Sequence, residues 1–410
     1  MTIVFFSNFL NHHQKLVADE LYELTDHQYT FVETVPMYDW LKKGGYTDYS
    51  QEPYVLRAWE NEENRQKAVE LAKTSDVALF GSPEVLYLEV IRAKQSDKIS
   101  FEVSERWLKR GWINLLSPRL LKNLWYYHTL FKKKPFYKLC ASAFGAGDQY
   151  KLHSYKNRCY KWGYFTKVET CGCENPSTCS GQAPVEAFTD VSTSEITPLM
   201  WCSRFLMLKH PELPILMANR LKEKGYKFLL DMYGSGTLFE RSKQLTDELR
   251  VNDVVRFCGN VPNEQILQAM REHEIFLFTS DQNEGWGAVA NESMSNGCVL
   301  VGSDAIGSTP FLVKDGVNGM LFKSSRSPKG LLRTKVDVDE QALNSLTEKV
   351  EWLLNHPKER RIMAMAAFKS MSELWSPKNA AHSFLKLVDD LEQGRDSSIT
   401  EGPCSKATPL

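Results

Sequence analysis

Two carboxylates, Glu284 and Glu292, stand on either side of the turn Gly285-Trp286-Gly287. A pair of acids first suggests glycoside hydrolysis, which needs a proton donor together with a base or a nucleophile. The surrounding pattern favours binding instead. An apolar run at 275–280 precedes the turn, a helical pattern carrying Glu292 follows it, and a second apolar run occupies 299–301. That is one strand-loop-helix-strand unit of a parallel sheet. At the carboxyl edge of such a sheet, glycines let backbone approach a ligand and helix-start amides receive anions and hydroxyls. A carboxylate there accepts hydrogen bonds from vicinal hydroxyls.

Arg204 and Lys209 lie where another apolar run, 199–202, gives way to a loop. A guanidinium grips phosphate oxygens in pairs and an ammonium adds a compact charge, so together they suit a diphosphate leaving group. Two cations are common on any surface; their place at a strand's carboxyl end is what raises the pair above that. A metal role has less support. Cys171, Cys173 and Cys179 lack a fourth ligand at zinc spacing, and in Asp337-x-Asp339 the second acid precedes a helical pattern and fits an N-cap. No cofactor and no metal are expected.

These groups need a scaffold, and the chain supplies strands alternating with helices twice over. In the first half, apolar or β-branched runs fall at 3–6, 29–32, 77–80, 99–103 and 137–141, separated by helical patterns. A second series runs from 199 to 322, and three helical patterns follow at 339–354, 357–371 and 377–391. The reading is α/β, with two Rossmann-like doubly wound domains facing a cleft. The expected division is 1–170 for an acceptor-binding domain, 171–195 for a turn-rich linker and 196–375 for a donor-binding domain. A helix at 376–392 is expected to cross back to the first domain, and a tail at 393–410 to be disordered.

At 410 residues the chain suits two domains, and 50 Lys plus Arg against 51 Asp plus Glu give no overall field that would argue for nucleic acid. Charge is uneven locally. Residues 101–138 carry Arg106, Lys109, Arg110, Arg119, Lys122, Lys132, Lys133, Lys134 and Lys138 among Trp107, Trp112, Trp125, Tyr126 and Tyr127. Such a segment either lies on an anionic membrane surface or is a solvated basic helix with core tryptophans. A start without a basic leader, nine scattered cysteines and the lack of a long apolar run lead us to expect a cytoplasmic protein, free or peripheral on the inner face of the membrane.

Arg204-x4-Lys209, Gly234-Ser235-Gly236, Val255-x-Phe257-x-Gly259-x-Val261 and Glu284-Gly-Trp-Gly-x4-Glu292, with Gly297 and Gly307 after them, together resemble the donor half of retaining GT-B glycosyltransferases of the GT4 (glycosyl transferases group 1) family. The resemblance implies that Arg204 and Lys209 bind the donor diphosphate and Glu292 the ribose. It assigns the transferred sugar to Glu284 with the amides of Gly285, Trp286 and Gly287, and the base to the backbone near Val261 and Asn263. Gly234 belongs to the same donor set. Two departures concern the first domain. The turn from Ser7 to His13 has no glycine, and the strand ending at Val103 is followed by Ser104-Glu105-Arg106 where a histidine or acid near the acceptor is usual. Glu105, His12 and His13 are the candidate catalytic groups, with Asn8 and Asn11 on the acceptor side.

The expected activity is transfer of a sugar from a nucleotide diphosphate sugar to an acceptor hydroxyl, with retention and without metal. The acceptor is a saccharide or lipid-linked saccharide in cell-surface polysaccharide or glycolipid assembly. The alternatives are a nucleotide-sugar epimerase of the same architecture and a non-catalytic sugar-nucleotide-binding scaffold subunit.

Overall fold

The computed structural model describes residues 1–39, 41, 46–168, 196–324 and 338–410. They fall into two compact units: Met1–Thr166 with Leu374–Leu410, and Lys167–Glu373. The whole of the expected linker at 171–195, with Cys171, Cys173 and Cys179, lies outside the described residues, as does Asp337.

The first unit contains β1 (Ile3–Ser7), α1 (His12–Leu24), β2 (Tyr29–Glu33), β3 (Val55–Arg57), α2 (Glu62–Thr74), β4 (Val77–Phe80), α3 (Leu86–Gln95) and β5 (Ser100–Ser104). It continues through α4 (Pro118–Thr129), β6 (Phe136–Cys140), α5 (Gly145–Lys151) and β7 (Cys159–Lys161). All seven strands pair in parallel, in the order β3-β2-β1-β4-β5-β6-β7. Strands β1 and β4 are buried at every residue. Helices cover both faces of such a sheet, so its central strands read as unbroken apolar runs.

The second unit contains β8 (Thr197–Cys202), α6 (Glu212–Glu223), β9 (Phe228–Tyr233), α7 (Phe239–Glu248), β10 (Val255–Gly259), α8 (Asn263–Glu272) and β11 (Ile275–Phe278). Then come α9 (Val289–Ser295), β12 (Val299–Ser303), α10 (Thr309–Leu312), β13 (Met320–Phe322), α11 (Glu340–Asn355) and α12 (Pro357–Lys369). The six strands are again parallel, in the order β10-β9-β8-β11-β12-β13. The core beneath them joins Leu199, Trp201, Leu230, Ile275 and Val299 to Leu343, Leu346 and Val350 of α11. Asp339 caps that helix, its carboxylate accepting from the Ala342 amide at 3.1 Å.

Helix α13 (Pro377–Glu392) packs along α1 in the first unit. The expectation of a disordered tail after it is corrected. Residues 404–407 run antiparallel to β7: the amides of Lys161 and Ala407 donate to Ser405 and Cys159, and Cys404 donates back to Lys161, at 2.7–3.0 Å. Cys404 and Ser405 are buried. Composition alone read this stretch as unable to fold, but the edge of β7 supplies the hydrogen-bond partners that its short side chains cannot.

Candidate functional site

In the second sheet the order reverses between β8 and β11, so the loops leaving their carboxyl ends diverge, the place where open α/β sheets bind ligands. Arg204 and Lys209 sit on the first of these loops and Glu284 on the second. Thr279 links the loops: its hydroxyl donates to the Lys209 carbonyl at 2.7 Å and accepts from the Trp201 indole at 2.9 Å. The Asp281 amide donates to the Leu208 carbonyl at 2.9 Å. Lys209, only 9% exposed, is thereby held with its ammonium donating to the Glu284 carboxylate. Arg204 lies on the surface of the same loop.

Gly234 explains how the next loop can come so close. Its φ is +121°, and a Cβ there would lie 2.0 Å from the Ser203 carbonyl oxygen. The bare backbone lets this loop dock on the one carrying Arg204, with the Phe205 amide donating to Ser235 at 2.9 Å. Gly234 is therefore a spacer for the site. Val261 and Asn263 follow β10, one strand further out on the same edge, and Asn263 opens α8.

Glu292 projects from α9 and is half-buried. Burial lifts its pKa to about 7. Burial, with a further push from the Glu292 charge, raises the Cys202 thiol to about 12, while Lys209 pulls the other way. Cys202 ends β8, so Glu292 and Lys209 act on one locality, although 82 residues separate them in the chain. Trp286 does not fit the role of a ligand-facing side chain. It is 1% exposed, and its indole donates to the Asn291 amide oxygen at 2.8 Å, so it supports the turn from within. Gly287, at φ +78°, crosses over the Phe278 ring where a Cβ would lie 2.3 Å away.

Sequence reasoning passed over His210, although it adjoins Lys209. Its backbone is left-handed at φ +48°. Its Nδ1 meets Glu212 at 2.8 Å and its Nε2 meets Asp281 at 3.4 Å. Burial lowers its pKa, but the bonds to Asp281 and Glu212 outweigh burial and raise it to about 9. The resulting imidazolium ties the two loops together a second time.

Residues 199–370 match the sequence model of the family Glycosyl transferases group 1. The matched stretch lies within the second unit. The chain is also similar to the GtfA subunit of a Streptococcus gordonii UDP-N-acetylglucosamine–peptide N-acetylglucosaminyltransferase, 23% identical over 164 residues. That match spans 40% of this chain and 30% of the relative. Among solved structures, HepE of Anabaena in complex with UDP aligns over 96% of this chain and all of its own, at a TM-score of 0.63 and 14% identity. A glycosyltransferase from Rickettsia africae aligns over 96% and 98%, at 0.60 and 14%. The likeness is one of fold: two Rossmann-like domains, the GT-B architecture.

In the first unit, at the loop after β1, the buried Glu33 carboxylate accepts from the Leu10 amide at 2.9 Å and the Trp59 indole at 3.4 Å. Asn11 is the N-cap of α1, accepting from the amides of His13 and Gln14, and Asn8 accepts from Ser7 and Phe9. Both side-chain oxygens shape the loop. Burial, reinforced by His12, drops the His13 pKa to about 3, which leaves a ring too weakly basic for general-base work near neutrality. His12 is also lowered by burial. The structure does bring His13 and Glu105 together through Tyr164, whose ring stacks on His13 at 5.0 Å and whose hydroxyl donates to Glu105 at 2.9 Å. Tyr164 lies beyond β7, and no spacing pattern marked it.

Proposed function

We propose that the protein is a glycosyltransferase that moves a sugar from a nucleotide diphosphate sugar to an acceptor hydroxyl. The observation that carries this reading is the meeting of Arg204, Lys209, Glu284 and Glu292 around the diverging ends of β8 and β11. The diphosphate binds Arg204 and Lys209, the ribose hydroxyls bind Glu292, and the transferred sugar lies against Glu284 and the backbone from Gly285 to Gly287. The base lies near Val261 and Asn263. HepE and the pneumococcal GtfA are described in complex with UDP, which puts uridine donors first in any panel.

Each charge-assisted hydrogen bond contributes about 1.5–3 kcal/mol, whereas enzymes lower barriers by about 8–23 kcal/mol. Phosphate contacts supply a share, and orientation of donor and acceptor supplies the rest. Two cations already face the leaving group, so transfer proceeds without a divalent ion. Among the described residues no carboxylate beside these cations is free to act as a nucleophile: Glu284 is paired with Lys209, and Glu292 is held for the ribose. Attack from the leaving-group face, with retention, is what the resemblance to retaining GT-B enzymes implies. Glu105, whose carboxylate accepts from Tyr164 at 2.9 Å, is the candidate acceptor-side group of the first unit.

The first unit also presents Trp112 (60% exposed), Leu116 (80%), Ile113, Leu121 and Trp125 outward, beside Lys122, Lys132 and Lys133. Exposed tryptophans among lysines suit an anionic bilayer surface, and a lipid-linked saccharide in polysaccharide or glycolipid assembly suits that location.

A thermal-shift and transfer assay with a panel of nucleotide diphosphate sugars tests the reading. Lys209→Ala and Glu292→Ala are each expected to lower transfer at least tenfold, in chelator as well as in magnesium; near-normal rates in both variants would sink the donor-site assignment. Isomerised donor without acceptor would identify an epimerase instead. Vesicles containing phosphatidylglycerol should sediment the wild type and release the Trp112→Ser, Trp125→Ser variant, and equal partitioning would remove the membrane contact.

A further inference from the structure

Lys209 and Glu284 hold each other away from the ligand groups that each would serve. Among the described residues the Lys209 ammonium has one polar partner, the Glu284 carboxylate, and that carboxylate has no other cation. Their side chains are 11% and 14% exposed, so little water is at hand to solvate either charge alone. Arg204 differs: it is exposed and makes no ion pair among the described residues.

The backbone under the pair is fixed from both sides. The Lys209 carbonyl accepts from the Thr279 hydroxyl at 2.7 Å, and the Glu284 amide donates to the Asp281 carbonyl at 3.0 Å. Gly287 leaves room for the glutamate, since a Cβ there would lie 3.3 Å from the Glu284 Cγ. The contact of His210 with Asp281 at 3.4 Å joins the same two loops independently. Parting Lys209 from Glu284 therefore turns two side chains and leaves the loops in place.

Taking one member from a largely buried ion pair strands the other charge, and the stranded charge is costlier than the pair was worth. A free nucleoside diphosphate that draws off the ammonium strands Glu284 in this way. An intact nucleotide diphosphate sugar draws off the same ammonium but brings hydroxyl donors to the carboxylate, so neither charge is left bare. We propose that the Lys209–Glu284 pair is a latch that discriminates the intact donor from the nucleoside diphosphate left after transfer. Arg204 captures either one, and the pair re-forms against the one that has lost its sugar, which speeds its release. The identity of these ligands rests on the glycosyltransferase reading; the competition of a diphosphate with Glu284 for one ammonium rests on the contact itself.

Calorimetry on the full chain tests the latch, using UDP and, as a probe that needs no base, inorganic pyrophosphate. Glu284→Gln removes the competing charge and keeps the shape, so both probes should bind it at least threefold more tightly than wild type. Loss of a side chain that only supported the loop would weaken both. In a Lys209→Met background the gain from Glu284→Gln should vanish, because the contested ammonium is gone. For the UDP-sugar that binds wild type most tightly, the ratio of its affinity to that of UDP should fall at least threefold in Glu284→Gln. Should the glutamine variant misfold, Glu284→Ala supplies the same comparisons. Equal or weaker binding of UDP and pyrophosphate by the variant, a gain that persists beside Lys209→Met, or an unchanged ratio overturns the latch and leaves the donor site standing. Failure of every probe to bind any of the proteins removes the diphosphate site and the latch together.

Discussion

His210 and Glu292 both titrate away from their ordinary ranges, and each makes the site sensitive to pH in its own way. A histidine whose folded pKa is raised contributes stability that is complete below its unfolded value of 6.5 and lost as pH rises through about 9. At about 1.36 kcal/mol per pH unit the contribution reaches about 3 kcal/mol. The melting temperature should therefore fall between pH 6.5 and 9.5, and His210→Gln should flatten that limb; an unchanged slope in the variant would remove the imidazolium clamp. Glu292 is an acid with a raised pKa, so its folded form favours the proton. The stability it contributes is present below 4.5 and lost as pH climbs through about 7. Glu292→Gln is expected to melt higher than wild type at pH 8 while binding UDP at least tenfold more weakly, as measured by calorimetry. A residue that costs stability and is kept for a ligand behaves in this way.

At the scale of the element, the loop after β9 depends on a position that only glycine fills comfortably. Gly234→Ala puts a methyl into the Ser203 carbonyl at a positive φ, and urea unfolding should register a loss of about 1–3 kcal/mol. Because the displaced backbone carries Arg204, UDP affinity should drop with it. The same comparison shows what was legible in the residues. The buried strands and most helices of both units could be read from period and caps: the α6 pattern ends at Gly225, whose φ is +81°, and Asp339 caps α11. Strands β3 and β7 escaped because three-residue edge strands such as Val55–Arg57 carry no apolar run. Arg204, Lys209, Glu284 and Glu292 were legible because strand ends and glycines bracket them. Tyr164 was not, since a loop tyrosine owes its surroundings to elements far away in the chain. Around the first-domain candidates, backbone amides engage the Asn8 and Asn11 side-chain oxygens and burial lowers the His13 pKa, features of the folded chain that no spacing pattern carries.

At the scale of the whole molecule, the closing segment is part of the first unit. Asp390 accepts from the Ser398 amide and hydroxyl and from Arg395, and Tyr160 donates to Asp396 at 2.8 Å, so the chain is fastened before it reaches β7. Removing residues 394–410 bares the β7 edge and the surface under Cys404. The melting temperature of that unit should drop by at least about 4 °C, taking about 2–4 °C per kcal/mol for a body of this size, and an unaltered melt would show the pairing to be weak. The segmentation also sets an order of events during synthesis. Residues 167–373 are contiguous and can fold as soon as they leave the ribosome, whereas the first body, begun at β1, waits with one sheet edge and the flank of α1 bare until residues 377–407 have been made. The unit that starts first is thus the one that finishes last.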